Sequence, residues 1–283
     1  MIDNIGEYSS INGNIVKSEN MDQKANDKEA NDKEKVVYEV IRIIDGVPLF
    51  FEDHYLRMKN SIELLGNKLH ISEQELGNRI KNVIDANGKQ NCNVKVTVYH
   101  DTNGQNVILY ISKSYYPTNE EFENGVRVGL LKWDRKNPNI KVQNLTYNEA
   151  VKKKLEEENI FETLLVNANG KITEGSKSNV FFVKKSKIYT APDEYILKGV
   201  TRKYIIDVCR RQDIEIIETL ISVDSLYEME GLFLSGTSIK VLPVASINGH
   251  RFNSSNHPVI LAARKGFDSL IEEYIKEYKS RTT

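Results

Sequence analysis

The stretch Ile172-Thr173-Glu174-Gly175-Ser176-Lys177-Ser178-Asn179 runs straight into Val180-Phe181-Phe182-Val183. The second part is β-branched and aromatic, which makes it a strand. The first part sets a carboxylate among small polar residues, which reads as a tight turn whose backbone amides face a ligand. The same residues also fit a plain hairpin, since Asn167-Ala168-Asn169-Gly170 upstream is turn-forming and follows Leu164-Leu165-Val166. What separates a site from a hairpin is matching chemistry elsewhere in the chain.

The 283 residues suggest two domains, at roughly 150 residues each. With 40% hydrophobic residues, 28% charged residues and a formal net charge of −1, nothing in the bulk charge favours nucleic acid or an anionic membrane surface. Cys92 and Cys209 lie far apart, which supports neither a metal cluster nor a disulfide framework. There is no apolar run of about 18 residues, and the start of the chain lacks the order of a signal peptide. A cytoplasmic protein with reduced thiols and no bound metal is expected.

Residues 8–16 read as a short hairpin around Asn12-Gly13. Residues 17–35 are polar, with Ala-Asn-Asp-Lys-Glu twice over, and are expected to be a solvated loop or a short surface helix. Residues 36–51 form a second hairpin turning at Asp45-Gly46. A helix follows, ended by Gly66, with Arg57 near its first turn. A cation there is electrostatically misplaced unless an anion accompanies it. A second helix is expected over 72–86 from the Ser72/Glu75 capping pattern, then strands over 93–100 and 107–112. These pieces make an α+β domain over 1–117, with a linker at 118–125 and a second domain over 126–283.

In the second domain, Lys141 follows the rigid Asn137-Pro138 turn and precedes a helix expected over 147–158. It fits either a solvated lysine or an amine held out of bulk water, with the lowered pKa that makes it nucleophilic toward an aldehyde. Gly199-Val200-Thr201 opens another expected helix, so its amides and hydroxyl fit a plain N-cap or a phosphate cradle. Ser235-Gly236-Thr237-Ser238, after an apolar strand, is a second turn of anion-binding type.

Taken in this order and spacing, the stretches Ile172-Thr173-Glu174-Gly175, Ser178-Asn179-Val180, Leu197-x-Gly199-Val200-Thr201-Arg202 and Ser235-Gly236-Thr237 resemble the class IV aminotransferases, pyridoxal-phosphate enzymes of fold type IV. The group includes branched-chain and D-amino acid aminotransferases and aminodeoxychorismate lyase. The likeness runs from Tyr38-Glu39 to Pro243. It implies a two-domain α+β fold with a smaller N-terminal domain and a larger, mixed β-barrel-like C-terminal one, and the cofactor in the cleft between them.

The resemblance implies roles residue by residue. Lys141 would form the Schiff base with pyridoxal 5′-phosphate and shuttle the substrate α-proton. Glu174 would pair with the pyridine nitrogen. Arg57, in His54-Tyr55-Leu56-Arg57, would bind the phosphate with Val200, Thr201 and Thr237. Tyr147 and Asn179 would also border the cofactor, while Tyr38, Arg42 and Ser238 would face the substrate. Tyr38-x-x-x-Arg42 resembles the branched-chain enzymes; the residues after Lys141 resemble the D-amino acid branch, whose substrate-binding arginine is replaced here by Tyr99-His100-Asp101.

The implied activity is a ping-pong amino-group transfer between an amino acid, with a branched-chain L-amino acid favoured, and a 2-oxo acid. A D-amino acid aminotransferase, the lyase, and a non-catalytic protein binding a phosphorylated ligand are the alternatives. The family resemblance also implies a homodimer.

Overall fold

The computed structural model describes residues 4–20, 36–102 and 104–282. Most of the polar repeat expected as a loop over 17–35 lies outside the described residues; Ser18–Asn20 at its start form one 3-10 turn. The chain divides into two units, the first comprising Met1–Tyr115, Ile140–Gln143 and Glu273–Thr283, the second Tyr116–Asn139 and Asn144–Glu272. The expected division differs in three ways. Lys141 and the segment from Glu273 onward group with the first unit, and the expected linker contains a helix.

The first unit begins with β1 (Tyr8–Ile11) and β2 (Asn14–Lys17), which turn at Asn12 and Gly13 with φ of 50° and 93°. Positive φ at both central residues is what an Asn-Gly hairpin turn supplies. β3 (Val37–Ile44) and β4 (Val47–Pro48) turn the same way at Asp45-Gly46. Helices α1 (Phe51–Leu64) and α2 (Glu73–Asn87) come next, then β5 (Cys92–Asp101) and β6 (Gly104–Ile111). Ser72 caps α2 by accepting from Glu75 N at 3.2 Å. Because α1 opens at Phe51, Arg57 stands in its second turn, not its first.

The six strands form one antiparallel sheet in the order β2-β1-β6-β5-β3-β4. Alternation along β3 buries Val37, Glu39, Ile41 and Ile43 on one face and leaves Tyr38, Val40 and Arg42 half-buried on the other. The first face joins a core with Met58 and Ile62 of α1, Leu76 and Ile80 of α2, and Val94 and Val96 of β5. Glu39 is therefore a carboxylate placed by register on an otherwise apolar face.

In the second unit, Thr118 and Glu121 make a reciprocal capping box that starts α3 (Asn119–Asn124), and this helix replaces the expected linker. β7 (Val126–Lys132), α4 (Leu145–Glu158), β8 (Glu162–Val166), β9 (Lys171–Gly175), β10 (Asn179–Lys184) and β11 (Lys187–Thr190) follow. The remaining elements are α5 (Val200–Arg211), β12 (Ile216–Glu218), β13 (Ile221–Ser222), β14 (Gly231–Gly236), β15 (Lys240–Ile247), β16 (His250–Arg251) and the helix α6 (Pro258–Thr282), which from Glu273 onward groups with the first unit.

Ten strands make one mixed sheet, β12-β11-β10-β14-β15-β7-β8-β9-β13, with β16 paired to β15. The pairs β7/β8, β7/β15 and β11/β12 are parallel. β8 and β10 are buried almost along their whole length, as strands covered on both faces must be. Phe181 and Phe233 stack at 4.7 Å across β10 and β14. Among the described residues, no helix is long and apolar enough to cross a membrane.

Candidate active site

In the first unit, Lys141 is held through its backbone. Its carbonyl accepts from Tyr38 N at 3.1 Å, Gln143 N donates to Val36 O at 3.0 Å, and Val37 and Val142 form a β-bridge. Lys141 N also donates to Ser61 Oγ at 3.3 Å. The short segment 140–143 thus extends the edge of β3, and Lys141 Nζ stands 4.6 Å from the centre of the Tyr38 ring. Lys95 Nζ approaches the same ring at 5.4 Å and Tyr110 at 5.6 Å. Tyr38, Arg42 and Lys95 share this face of the sheet by register. Cations over aromatic faces are attracted by the ring quadrupole.

On the opposite face, Glu39 is the anion that accounts for Arg57. Arg57 donates from Nε to Glu39 Oε1 at 2.7 Å and from Nη2 to Oε2 at 2.6 Å, and His54 Nδ1 lies 2.8 Å from Oε2. Burial opposes the charge on Glu39, but the Arg57 guanidinium and the hydrogen bonds from Arg57 and His54 outweigh it and hold the carboxyl well below its usual range. Burial also pushes the His54 pKa down, only partly offset by Glu39. A neutral imidazole that donates from Nδ1 to the carboxylate satisfies this arrangement.

In the second unit, Glu174 ends up inside β9, not on a turn; the turn is formed by residues 175–178 and closed by Gly175 N donating to Ser178 O at 2.8 Å. Both Glu174 oxygens accept hydrogen bonds, Oε1 from Arg135 Nη1 at 2.7 Å and Oε2 from Leu197 N at 3.0 Å. Asn179 Nδ2 donates to Leu197 O at 3.0 Å, so Leu197 is clasped on both sides. Tyr147 leans on Trp133 at 5.3 Å and donates to Ser176 O at 2.9 Å.

Two residues beyond Leu197, α5 starts with Gly199 as its N-cap and with no side-chain cap bond. Thr201 is therefore a first-turn residue and not the cap. An uncapped helix start presents free N–H groups and the positive end of the dipole. A Cβ on Gly199 would stand 2.0 Å from Asn179 Oδ1. Thr237 and Ser238 follow β14, whose Ser235 sits opposite Asn179 on β10. The Ser235 hydroxyl is buried with no hydrogen-bond partner among the described residues.

These features fit a phosphorylated aromatic cofactor: an uncapped helix start approached by glycine, an orphaned buried hydroxyl, and a carboxylate backed by an arginine. The structure brings Lys141 and Tyr38 together in one unit, and Glu174, Asn179 and the start of α5 in the other. One expectation is corrected. The amides of Ser176 and Lys177 are not open to a ligand, because they donate to the Glu162 carboxylate at 3.2 and 3.1 Å. Arg135 and Glu162 were missed from sequence. Arg135 is one cation in a charged loop, with nothing to mark it; Glu162 carried a weak signal, an acidic residue just ahead of the apolar run Leu164–Val166.

Residues 36–247 match the family model described as amino-transferase class IV. A D-alanine aminotransferase of Bacillus licheniformis is 32% identical over 77% of this chain and 81% of its own length. A probable branched-chain-amino-acid aminotransferase of Thermotoga maritima is 30% identical over 83% of this chain and 86% of its own. Among solved structures, a putative branched-chain amino acid aminotransferase from Thermotoga maritima superposes with a TM-score of 0.78 at 26% identity, covering 93% of this chain and 95% of that one. A branched-chain aminotransferase from the archaeon Thermoproteus uzoniensis, solved with norvaline, shares the fold, with a TM-score of 0.82 at 20% identity, covering 96% of this chain and 97% of that one. With the family model matched over most of its length, and with relatives of this identity, the chain belongs to the class IV aminotransferases.

Proposed function

We propose that this aminotransferase uses pyridoxal 5′-phosphate to move an amino group between an amino acid and a 2-oxo acid in a ping-pong cycle, with Lys141 as its reactive amine. The observation that carries the reading is the anchoring of Lys141. Its backbone is tied to β3 and to Ser61, and its amine is aimed over Tyr38. When bound, the cofactor supplies an electron sink for the charge left as the substrate α-proton departs. Lys141 Nζ takes that proton and returns it.

Glu174, oriented by Arg135 and Leu197 N, accepts a hydrogen bond from the protonated ring nitrogen. The first-turn amides at Val200 and Thr201 bind the phosphate, together with Thr237 and Arg57. Tyr147 and Asn179 hold the walls of the same site. Tyr38, Arg42 and Ser238 orient the substrate.

A branched-chain L-amino acid is the favoured substrate, supported by the Tyr38-x-x-x-Arg42 strand and by the Thermotoga maritima relatives. A D-amino acid is the second reading, supported by the Bacillus licheniformis relative. The test is the visible absorption of the protein reconstituted with pyridoxal phosphate, with L-leucine, L-glutamate and D-alanine added separately. Bleaching by L-leucine supports the first reading, and bleaching by D-alanine alone replaces it with the second. A protein that takes up no cofactor overturns the role of Lys141. The same reading takes the active species as a homodimer, which light scattering on the reconstituted protein tests.

A further inference from the structure

Glu162, the first residue of β8, is 5% exposed. Its Oε1 accepts from Thr163 N at 2.8 Å, from Ser176 Oγ, and at 3.2 Å from Ser176 N, which is shared with Thr163 O at 2.9 Å. Its Oε2 accepts from Lys177 N at 3.1 Å and from Ser178 Oγ at 3.2 Å. A carboxylate accepts hydrogen bonds only, and here every donor except Thr163 N comes from three consecutive residues of one turn. That turn folds tightly on itself, for a Cβ on Gly175 would lie 2.1 Å from Ser178 Oγ. Its two ends are Glu174 and Asn179, the residues that clasp Leu197. Leu197 in turn leads through Lys198 to Gly199 and the start of α5.

We propose that Glu162 is a positioning residue of the cofactor site. It touches no ligand; its carboxylate is the template on which the 175–178 turn is built. Through that turn it sets the Glu174 carboxylate at one end of the site and the uncapped start of α5 at the other. A neutral amide of the same shape cannot replace it, because an amide has one acceptor oxygen and turns its N–H groups toward either the Ser176 donors or those of Lys177 and Ser178. The inference rests on the cofactor reading above.

The test compares pyridoxal phosphate affinity in wild type, Glu162→Gln, Glu162→Ala and Ile247→Val. The last is a core change in the same unit that lowers thermal stability away from the turn. Glu162→Gln is expected to raise the dissociation constant about tenfold or more, the factor that follows from lost charge-assisted hydrogen bonds. Ile247→Val is expected to leave it within about twofold, since a single methyl in the core acts on stability alone. In Glu162→Ala, added acetate should restore affinity and acetamide should not.

A Glu162→Gln protein that binds like wild type overturns the proposal, as does an equal loss in Ile247→Val or equal rescue by acetamide. Should Glu162→Ala fail to fold, Glu162→Gln decides by the same constant. A wild-type protein that takes up no pyridoxal phosphate sinks the cofactor reading instead. Amide hydrogen exchange at Lys177, measured without cofactor, then decides the role of Glu162: faster exchange in Glu162→Gln supports the template, unchanged exchange refutes it.

Discussion

Arg57 meets Glu39 edge-on, its Nε 2.7 Å from Oε1 and its Nη2 2.6 Å from Oε2. The carboxylate is 1% exposed and the guanidinium 11%. Removing one partner of such a pair leaves the other buried and uncompensated, at a cost of about 3–5 kcal/mol. Glu39→Ala should therefore lower the stability of the first unit by about that much, whereas Lys81→Ala, which breaks an exposed pair with Asp85, should cost no more than about 1 kcal/mol. Chemical denaturation of the two variants checks the difference.

The same cluster makes stability fall in acid. Glu39 has a folded pKa below its ordinary value of 4.5, and His54 one below 6.5. In each case the unfolded chain binds the proton more readily. Stability is thus fully present above the unfolded value and is lost as pH drops toward the folded one. For His54 the loss begins as pH falls through about 6.5; for Glu39 it is added below about 4.5. Melting temperature measured from pH 8 down to about 2 should decline in these two stages, and His54→Asn should remove the upper one.

Lys141→Ala should lower kcat by at least about a hundredfold, the scale of a lost proton-transfer group, while the melting temperature stays within a few degrees. Its backbone bonds to Tyr38 and Ser61 do not depend on the side chain. Glu174→Ala should cost turnover more than cofactor occupancy. Single-turnover rates together with cofactor titration separate the two effects.

Gly199→Ala places a methyl 2.0 Å from Asn179 Oδ1 and 3.2 Å from Arg202 Cβ. Asn179 can yield only by giving up its bond to Leu197 O. The expected result is a dissociation constant for pyridoxal phosphate raised about tenfold, equivalent to roughly 1.4 kcal/mol, with Lys198→Ala next to it unchanged. Fluorescence titration of both variants measures it.

Hairpins, helices and buried strands were legible in the sequence because their signals are local. Asn12-Gly13 and Asp45-Gly46 accept positive φ, Ser72 caps its helix, and Val180-Phe181-Phe182-Val183 is apolar without interruption. The anion beside Arg57 was not legible: a helix start disfavours a cation, but Arg57 stands in the second turn of α1. Glu39 is 18 residues away, and it reaches Arg57 only because β3 alternation turns it onto the helix face.

Sequence by itself determined the order of strands and turns, the family, and the identity of the residues able to carry the chemistry, since these depend on residue type and short spacing. Tertiary structure alone decided how those residues are supported. Arg135 backs Glu174 from 39 residues away, Lys141 belongs with β3 and not with the helix that follows it, and Glu162 fills the turn whose amides had looked open. Each is a hydrogen bond or ion pair between segments distant in the chain. Such contacts are set by sheet register and burial, and no local pattern of residues encodes them.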